Sequence, residues 1–332
     1  MGYGLHRRIG QAMKFSNSKL KAFQRCKKQY DYKFVQNLVP RHSSLPLKRG
    51  SWLHELLEAK YTTGDWRAKN DELAEEFNKL FEEERDAFGD LPNICAHIMR
   101  SYDYRWAEED KSLTWIEVET EFSVELPHGH TMVFKVDGVA QDEWGMWLVE
   151  HKSHKAFPDG EYRLGDVQTP KYVWGLQKLG YPITGILWNY LLTIEPKKPK
   201  LLKDGTRLSN AKIRTDAITY LEAIREYDLD PGDYKDVIIR LRDHADFFRR
   251  ERVSTPAIVG KQLVRESILV ADEIEGGYEV TRSFDRSCGM FCSYVQPCIT
   301  ELQGGDTSGM LKANFQEATK DDYYAYAEKE TS

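Results

Sequence analysis

TMVFKVDGVAQDEWGMWLVEHKS, residues 131–153, decides how this chain is read. Its two halves, 131–141 and 146–153, are rich in Val, Phe, Leu and Trp and are the length of strands. DEWG joins them, and Gly145 suits a hairpin turn. Upstream, TWIEVETEFSVE (114–125) alternates as a strand should. Downstream come a helical stretch, about 163–179, and the apolar run ITGILWNYLL at 183–192. The order strand–strand–strand–helix–strand specifies an α/β class with a mixed sheet core.

Charges stand inside the apolar hairpin. Successive strand side chains point to opposite faces, so Glu150 and Lys152 share one. The partner strand can bring Asp137 beside them, among Val136, Val139, Leu148 and Val149. Charges placed in buried strands need partners or a metal. Two adjacent carboxylates resist ionising together, and a hard divalent cation relieves that repulsion. Such an ion acidifies water and clamps phosphoryl oxygens. A nearby ammonium can orient or help deprotonate that water and stabilise developing charge. The chemistry on offer is phosphodiester hydrolysis. Taken alone, D…E-x-K on an exposed strand is more often a cross-strand ion pair, so the other motifs decide.

In RGSWLHELLE, His54 and Glu58 lie four residues apart on one helical face. The imidazole can bind a metal, and the carboxylate can orient it or join it; a surface His–Glu pair is the plainer alternative. In DVQTPKYVWGLQKLGYPITGI, Gln168 and Tyr172 can present an amide and a phenol on one face, while Tyr172, Gly175 and Leu179 can equally pack towards the sheet.

Five cysteines are present. Cys288, Cys292 and Cys298 form a compact group that needs a fourth thiol for a closed Zn²⁺ or Cys₄ iron–sulfur site. Cys26, among Arg25, Lys27, Lys28 and Tyr30, is the best fourth, since cationic neighbours favour the thiolate. Spacing does not separate Zn²⁺ from iron–sulfur. Cys95, in PNICAHI, is assigned to packing.

Charged residues make up 30% of the 332 and hydrophobic ones 41%, as in a globular protein. The net charge of −6 does not advertise nucleic-acid binding, although carboxylates can mask a local basic groove. No apolar run approaches the ~20 residues of a membrane span, and the first residues lack a signal-peptide core. The expected address is the cytoplasm. Gly260-Lys261 is followed by Gln262, so the phosphate-loop pattern of a helicase motor is missing.

The ordered set Cys26, RGSWLH, VDGVA, EHK, Q-x3-Y and the C-terminal cysteine group resembles the RecB/AddB-like nucleases of the PD-(D/E)XK superfamily. It is especially similar to iron–sulfur CRISPR-associated and phage-encoded exonucleases. The resemblance covers about 16–300. It implies a restriction-endonuclease-like core, with the C-terminal cysteine cluster joined to an N-terminal helix. It implies Mg²⁺ or Mn²⁺ at His54, Asp137, Glu150 and the main-chain carbonyl of His151. Lys152 would be the catalytic lysine, Gln168 and Tyr172 the glutamine–tyrosine motif, and Cys26, Cys288, Cys292 and Cys298 the holders of a [4Fe–4S] cluster, with Zn²⁺ as the alternative. The first cysteine spacing here, x3, is wider than the family's usual one.

The expected organisation is an extension at 1–15, a helical part at 16–112, the nuclease core at 113–195, an insertion at 196–255, a helix and cysteine cluster at 256–302, and a polar tail at 303–332. Within the insertion, 196–214 is a basic excursion tipped by Lys203-Asp204-Gly205, and FFRRERV is expected to return as a strand. Its Arg249, Arg250 and Arg252 are expected to contact DNA phosphates or else to line a solvated strand edge. The activity expected is metal-dependent exonucleolytic cleavage of single-stranded or end-exposed DNA in recombination, replication or repair. Recombination or replication proteins are the expected partners, in a host cytoplasm if the chain is phage-encoded. A structure-specific endonuclease and a non-catalytic DNA-binding module are the alternatives.

Overall fold

The computed structural model describes residues 12–42, 44–158, 163, 165–209, 212–243 and 247–319, with the side chain of Ser287 set aside. Residues 1–11 of the expected extension and 320–332 of the expected tail lie outside the described residues.

Element order follows the sequence periodicity. A two-residue strand β1 (Lys14–Phe15) leads into α1 (Asn17–Arg25), capped by Ser16, whose Oγ accepts from Lys19 N–H. The helical run is broken at Cys26, which is extended (φ −164°, ψ 116°), and α2 (Lys27–Tyr30) restarts it before a π-helical turn at Asp31–Val35. Then come β2 (Leu38–Pro40), α3 (Leu45–Thr62), α4 (Trp66–Phe77), α5 (Glu82–Phe88) and α6 (Leu91–Trp106). Strands β3 (Thr114–Glu125), β4 (Thr131–Asp142) and β5 (Gly145–His154) match the expected segments. They lead to α7 (Thr169–Lys178) and β6 (Ile183–Leu192). α8 (Ala217–Glu226), α9 (Lys235–Asp243) and β7 (Phe248–Ser254) belong to the insertion; α10 (Ala257–Gly276), α11 (Ser287–Phe291), α12 (Val295–Leu302), α13 (Ser308–Asn314) and β8 (Phe315–Glu317) close the described chain.

Among the described residues, six strands form one mixed sheet in the order β1-β4-β5-β6-β7, with β3 on the other edge of β4. β3–β4, β4–β5 and β6–β7 are antiparallel; β5–β6 is parallel, as the intervening α7 crossover requires. Gly145 (φ 147°) makes the hairpin turn, and a Cβ there would strike Thr184.

Two cores flank the sheet. Phe134, Val136, Leu148, Trp188 and Tyr190 pack with α7 and α10 through Val173, Leu176, Val264 and Ala271. Trp52, Leu56, Leu57, Met99 and Tyr102 of α3 and α6 pack with Leu191, Leu192 and Phe248. Burying side chains of this size contributes about 1.5–3 kcal/mol each, which fixes the helices that carry His54 and Gln168 against the strands that carry the carboxylates.

Two expected boundaries are corrected. Met13 and Phe15 are buried, and Lys14–Phe15 pair in parallel with Thr131–Met132, so the end of the expected extension belongs to the sheet. The start of the expected polar tail is also folded: β8 pairs with β2 and buries Phe315. Among the described residues no helix is long and apolar enough to cross a membrane.

Candidate active site

The β4–β5 ladder runs from the Asp142–Gly145 turn to the Gly138–Val149 pair. There the hairpin opens, and a side chain replaces the main chain: His151 N–H donates to Asp137 Oδ2 at 2.6 Å. Gly138 has to be glycine, because a Cβ would lie 2.5 Å from the Trp115 ring. Glu150 is buried, and Lys152 Nζ donates to its Oε1. From α3, His54 Nδ1 reaches to 3.5 Å from Asp137 Oδ1. α3 is tied to the far end of β6 by Arg49, whose guanidinium donates to Thr193 O at 2.9 Å. The four groups read from the sequence therefore share one neighbourhood, where the hairpin parts.

A fifth group escaped that reading. Glu119 Oε1 also lies 3.5 Å from His54 Nδ1, and its Oε2 lies 2.8 Å from Lys135 Nζ. Val118 pairs with Gly138 and Thr120 with Val136, so Glu119 stands across from Asp137. The acidic alternation Glu117, Glu119, Glu121 was visible, but nothing in the order of residues says which acid faces Asp137. His54 does not use Glu58, which is exposed.

The electrostatics are those of crowded acids. Burial, then Asp137, raises Glu150 to about 7 against the pull of Lys152. Burial, with Glu119, also raises Asp137, opposed by His54, Lys152 and the His151 N–H. Burial opposes protonation of His54, yet Asp137 and Glu119 outweigh it and lift it to about 9. The His151 ring is held neutral by burial and by His54, Arg250 and Lys152. Its Nδ1 accepts from the Asn189 amide at 2.7 Å.

This donor set fits a divalent cation. Among the described residues, His54, Glu119 and Asp137 each offer an atom within 4.8 Å of the others. Carboxylate oxygens suit Mg²⁺ or Mn²⁺, and the imidazole can join them as a nitrogen ligand. A second trio, His128, His130 and Asp272, also meets that spacing. There the Met13 N–H donates to His130 Nδ1 at 3.3 Å, which leaves the neutral ring's proton on Nε2, 3.0 Å from Asp272 Oδ1. That trio is a hydrogen-bonded staple between α10 and the start of β4.

The remaining expectations divide. Gln168 is half-buried at the N-cap of α7 and accepts from Asn17 of α1 at 3.3 Å. The helix begins there, not at 163, because Asp166 accepts from the N–H groups of Gln168 and Thr169. Tyr172 is buried, stacked on Phe134 at 4.9 Å, and Gly175 also abuts Phe134, whereas Leu179 is exposed. Cys26, Cys288, Cys292 and Cys298 line one cavity with Arg25, Lys28 and Arg282. Burial and the neighbouring Cys288 and Cys26 raise the Cys292 thiol. Cys95 is fully buried in the helical core, its thiol pushed up to about 12.

The three arginines of β7 each pair with an acidic side chain of this chain. β7 is a sheet edge, but the Arg250 side chain is only 3% exposed and donates to Asp110 at 2.7 Å and Tyr102 at 2.7 Å. Arg249 pairs with Glu251 at 3.0 Å, and Arg252 with Asp142 at 2.7 Å. Asp110 and Asp142, which hold Arg250 and Arg252, lie far away in the sequence, so the sequence of β7 does not reveal them.

A mixed sheet that gathers carboxylates, a lysine and an imidazole where its central hairpin opens is the frame of a metal-dependent nuclease. The chain belongs to the PD-(D/E)XK nuclease superfamily, whose family model matches residues 14–298. Its fold is accordingly restriction-endonuclease-like, and its activity is metal-dependent cleavage of nucleic acid. A comparison with curated proteins finds no match. Among solved structures, the crystal structure of SSO0001 is similar over 88% of each chain, at 9% identity and a TM-score of 0.33.

Proposed function

We propose that the chain is a DNA exonuclease acting on single-stranded or end-exposed DNA in recombination, replication or repair. The observation that carries this reading is the meeting of His54, Asp137, Glu150 and Lys152 at the parted end of the hairpin. His54, Asp137, Glu150 and the main-chain carbonyl of His151 would hold Mg²⁺ or Mn²⁺. The bound ion supplies Lewis-acid polarisation of the scissile phosphate and a lowered pKa for the attacking water. Lys152 remains an ammonium beside Glu150, placed to stabilise charge that develops on the phosphoryl oxygens. Gln168, held by Asn17, offers its amide to the nucleotide. Tyr172 supports that helix end by stacking on Phe134.

Cys26, Cys288, Cys292 and Cys298 would hold a [4Fe–4S] cluster, with Arg25, Lys28 and Arg282 offsetting its thiolate charge. α1 links that cavity to the active site, since Cys26 follows its last residue and Asn17, its first, touches Gln168. A strand drawn past the cluster towards the hairpin favours ends over interior sites.

The test is anaerobic purification with a visible absorption spectrum, followed by assay on end-labelled and closed circular single strands. Expected are a brown protein, Mg²⁺- or Mn²⁺-dependent degradation of linear DNA, intact circles, and loss of activity in Asp137→Ala. Cut circles would select the structure-specific endonuclease. A wild type inactive with both metals would select a non-catalytic DNA-binding module, and a colourless protein with one zinc would replace the cluster.

A further inference from the structure

Glu119 is the only residue of β3 with φ in the left-handed region, at 48°. A non-glycine backbone holds that conformation only where its surroundings over-determine it. Its side chain is 8% exposed, and its two oxygens face different partners. Oε2 is taken by Lys135 Nζ at 2.8 Å, while Oε1 is turned to His54 Nδ1 at 3.5 Å.

The imidazole contact is not an ordinary hydrogen bond. His54 Nδ1 stands at the same 3.5 Å from Asp137 Oδ1. One ring nitrogen carries one proton and cannot donate well to two carboxylates, and 3.5 Å is the long limit of such a bond. An imidazole nitrogen set equidistant from two carboxylate oxygens is instead an arrangement that a small cation between them would satisfy. Around Mg²⁺ or Mn²⁺ with bonds of about 2.1 Å, neighbouring ligands lie about 3.0 Å apart and opposite ones about 4.2 Å. Here all three donors fall within 4.8 Å of one another, so small side-chain rotations bring them to a common ion. Glu150 is instead turned to Lys152.

We propose that Glu119 is a direct ligand of the catalytic divalent cation, which it holds through Oε1 while Lys135 fixes Oε2. Glu119 thereby joins His54 and Asp137 in the ligand set proposed above. This inference rests on the metal-dependent reading of the site.

The test uses Mn²⁺ alone, titrated without DNA into the full chain, with free Mn²⁺ followed by electron paramagnetic resonance. Expected is binding by wild type, loss of binding in Asp137→Asn, and affinity lower by about 10–100-fold in Glu119→Gln. Glu119→Asp, which keeps the charge but retracts the donor, should also bind more weakly. Unchanged affinity in Glu119→Gln would overturn the assignment, because its amide oxygen can still accept a hydrogen bond from His54 but is a poor ligand. If that variant does not fold, Mn²⁺-soaked wild-type crystals decide through anomalous scattering. A peak at ligand distance from Glu119 Oε1 supports the proposal, and one held by Asp137 and Glu150 without Glu119 overturns it. A wild type that binds no Mn²⁺ removes the metal-dependent reading itself, whereas loss in Asp137→Asn alone removes only Glu119.

Discussion

Arg250 shows how much a residue's role depends on what lies across the sheet from it. Its guanidinium donates to Asp110 and to the hydroxyls of Tyr61 and Tyr102, and lies 4.3 Å over the Trp106 ring. It also donates to Asn189, which in turn donates to His151, so it braces the strand that carries Glu150 and Lys152. Removing one partner of a buried ion pair leaves the other uncompensated and costs about 3–5 kcal/mol. Arg250→Met is therefore expected to lower the unfolding free energy obtained from urea titration by an amount in that range, with the salt slope of DNA binding unchanged. A lower salt slope with unaltered stability would restore the phosphate-contact reading. Glu150 and Lys152 were legible because they lie two apart on one strand, Asp137 because a short hairpin returns it beside them, and His54 only through the ordered set of motifs. Glu119 and Arg250 were not, because their roles come from cross-strand register and tertiary partners.

At the scale of elements, the four long strands were legible because period-two alternation and β-branched residues leave few alternatives. The break in the first helix was not, because cysteine is no helix breaker. Tertiary contacts impose it: Lys28 N–H donates to Thr281 O at 3.0 Å, outside its own helix, and the extended backbone of Cys26 lets its thiol line the cavity with Cys288, Cys292 and Cys298. The C-terminal helices are held there by few large side chains, chiefly Tyr32, Tyr294 and Phe315, while Phe284, Met290 and Phe291 are exposed. A bound cluster would thus supply much of the local stability. Cys26→Ser is expected to lose most of the visible absorbance and to speed proteolytic cleavage in the irregular stretch 277–286. The melting of the sheet core should change little. Equal protease resistance with and without the fourth thiol would show that the segment docks without a cluster.

The whole molecule is a sheet between two helical layers, and one buried cation sits where three pieces of that arrangement meet. Lys171 of α7 is 6% exposed and hydrogen-bonds to Asn17 Oδ1 of α1 and to Ser267 Oγ of α10, both neutral oxygens. Burial lowers it to about 8, against the milder pull of Asp166 and Glu266. An unfolded lysine titrates near 10.4, so between about pH 8 and 10.4 the unfolded chain binds the extra proton. Unfolding free energy then rises with pH across that window, by at most about 1.4 kcal/mol per unit and about 3 kcal/mol in all. Below pH 8 both states are charged and the full cost of burying the ammonium is present; above 10.4 neither is charged and the cost is gone. Other groups titrate in the same range, so the measurement is a difference. Urea unfolding of wild type and Lys171→Met from pH 7 to 10 should show wild type gaining on the variant as pH rises, with the steepest gain beginning near 8. Parallel curves would mean that the amine held between α1, α7 and α10 is solvated and titrates as it does in the unfolded chain, so that this junction carries no charge cost.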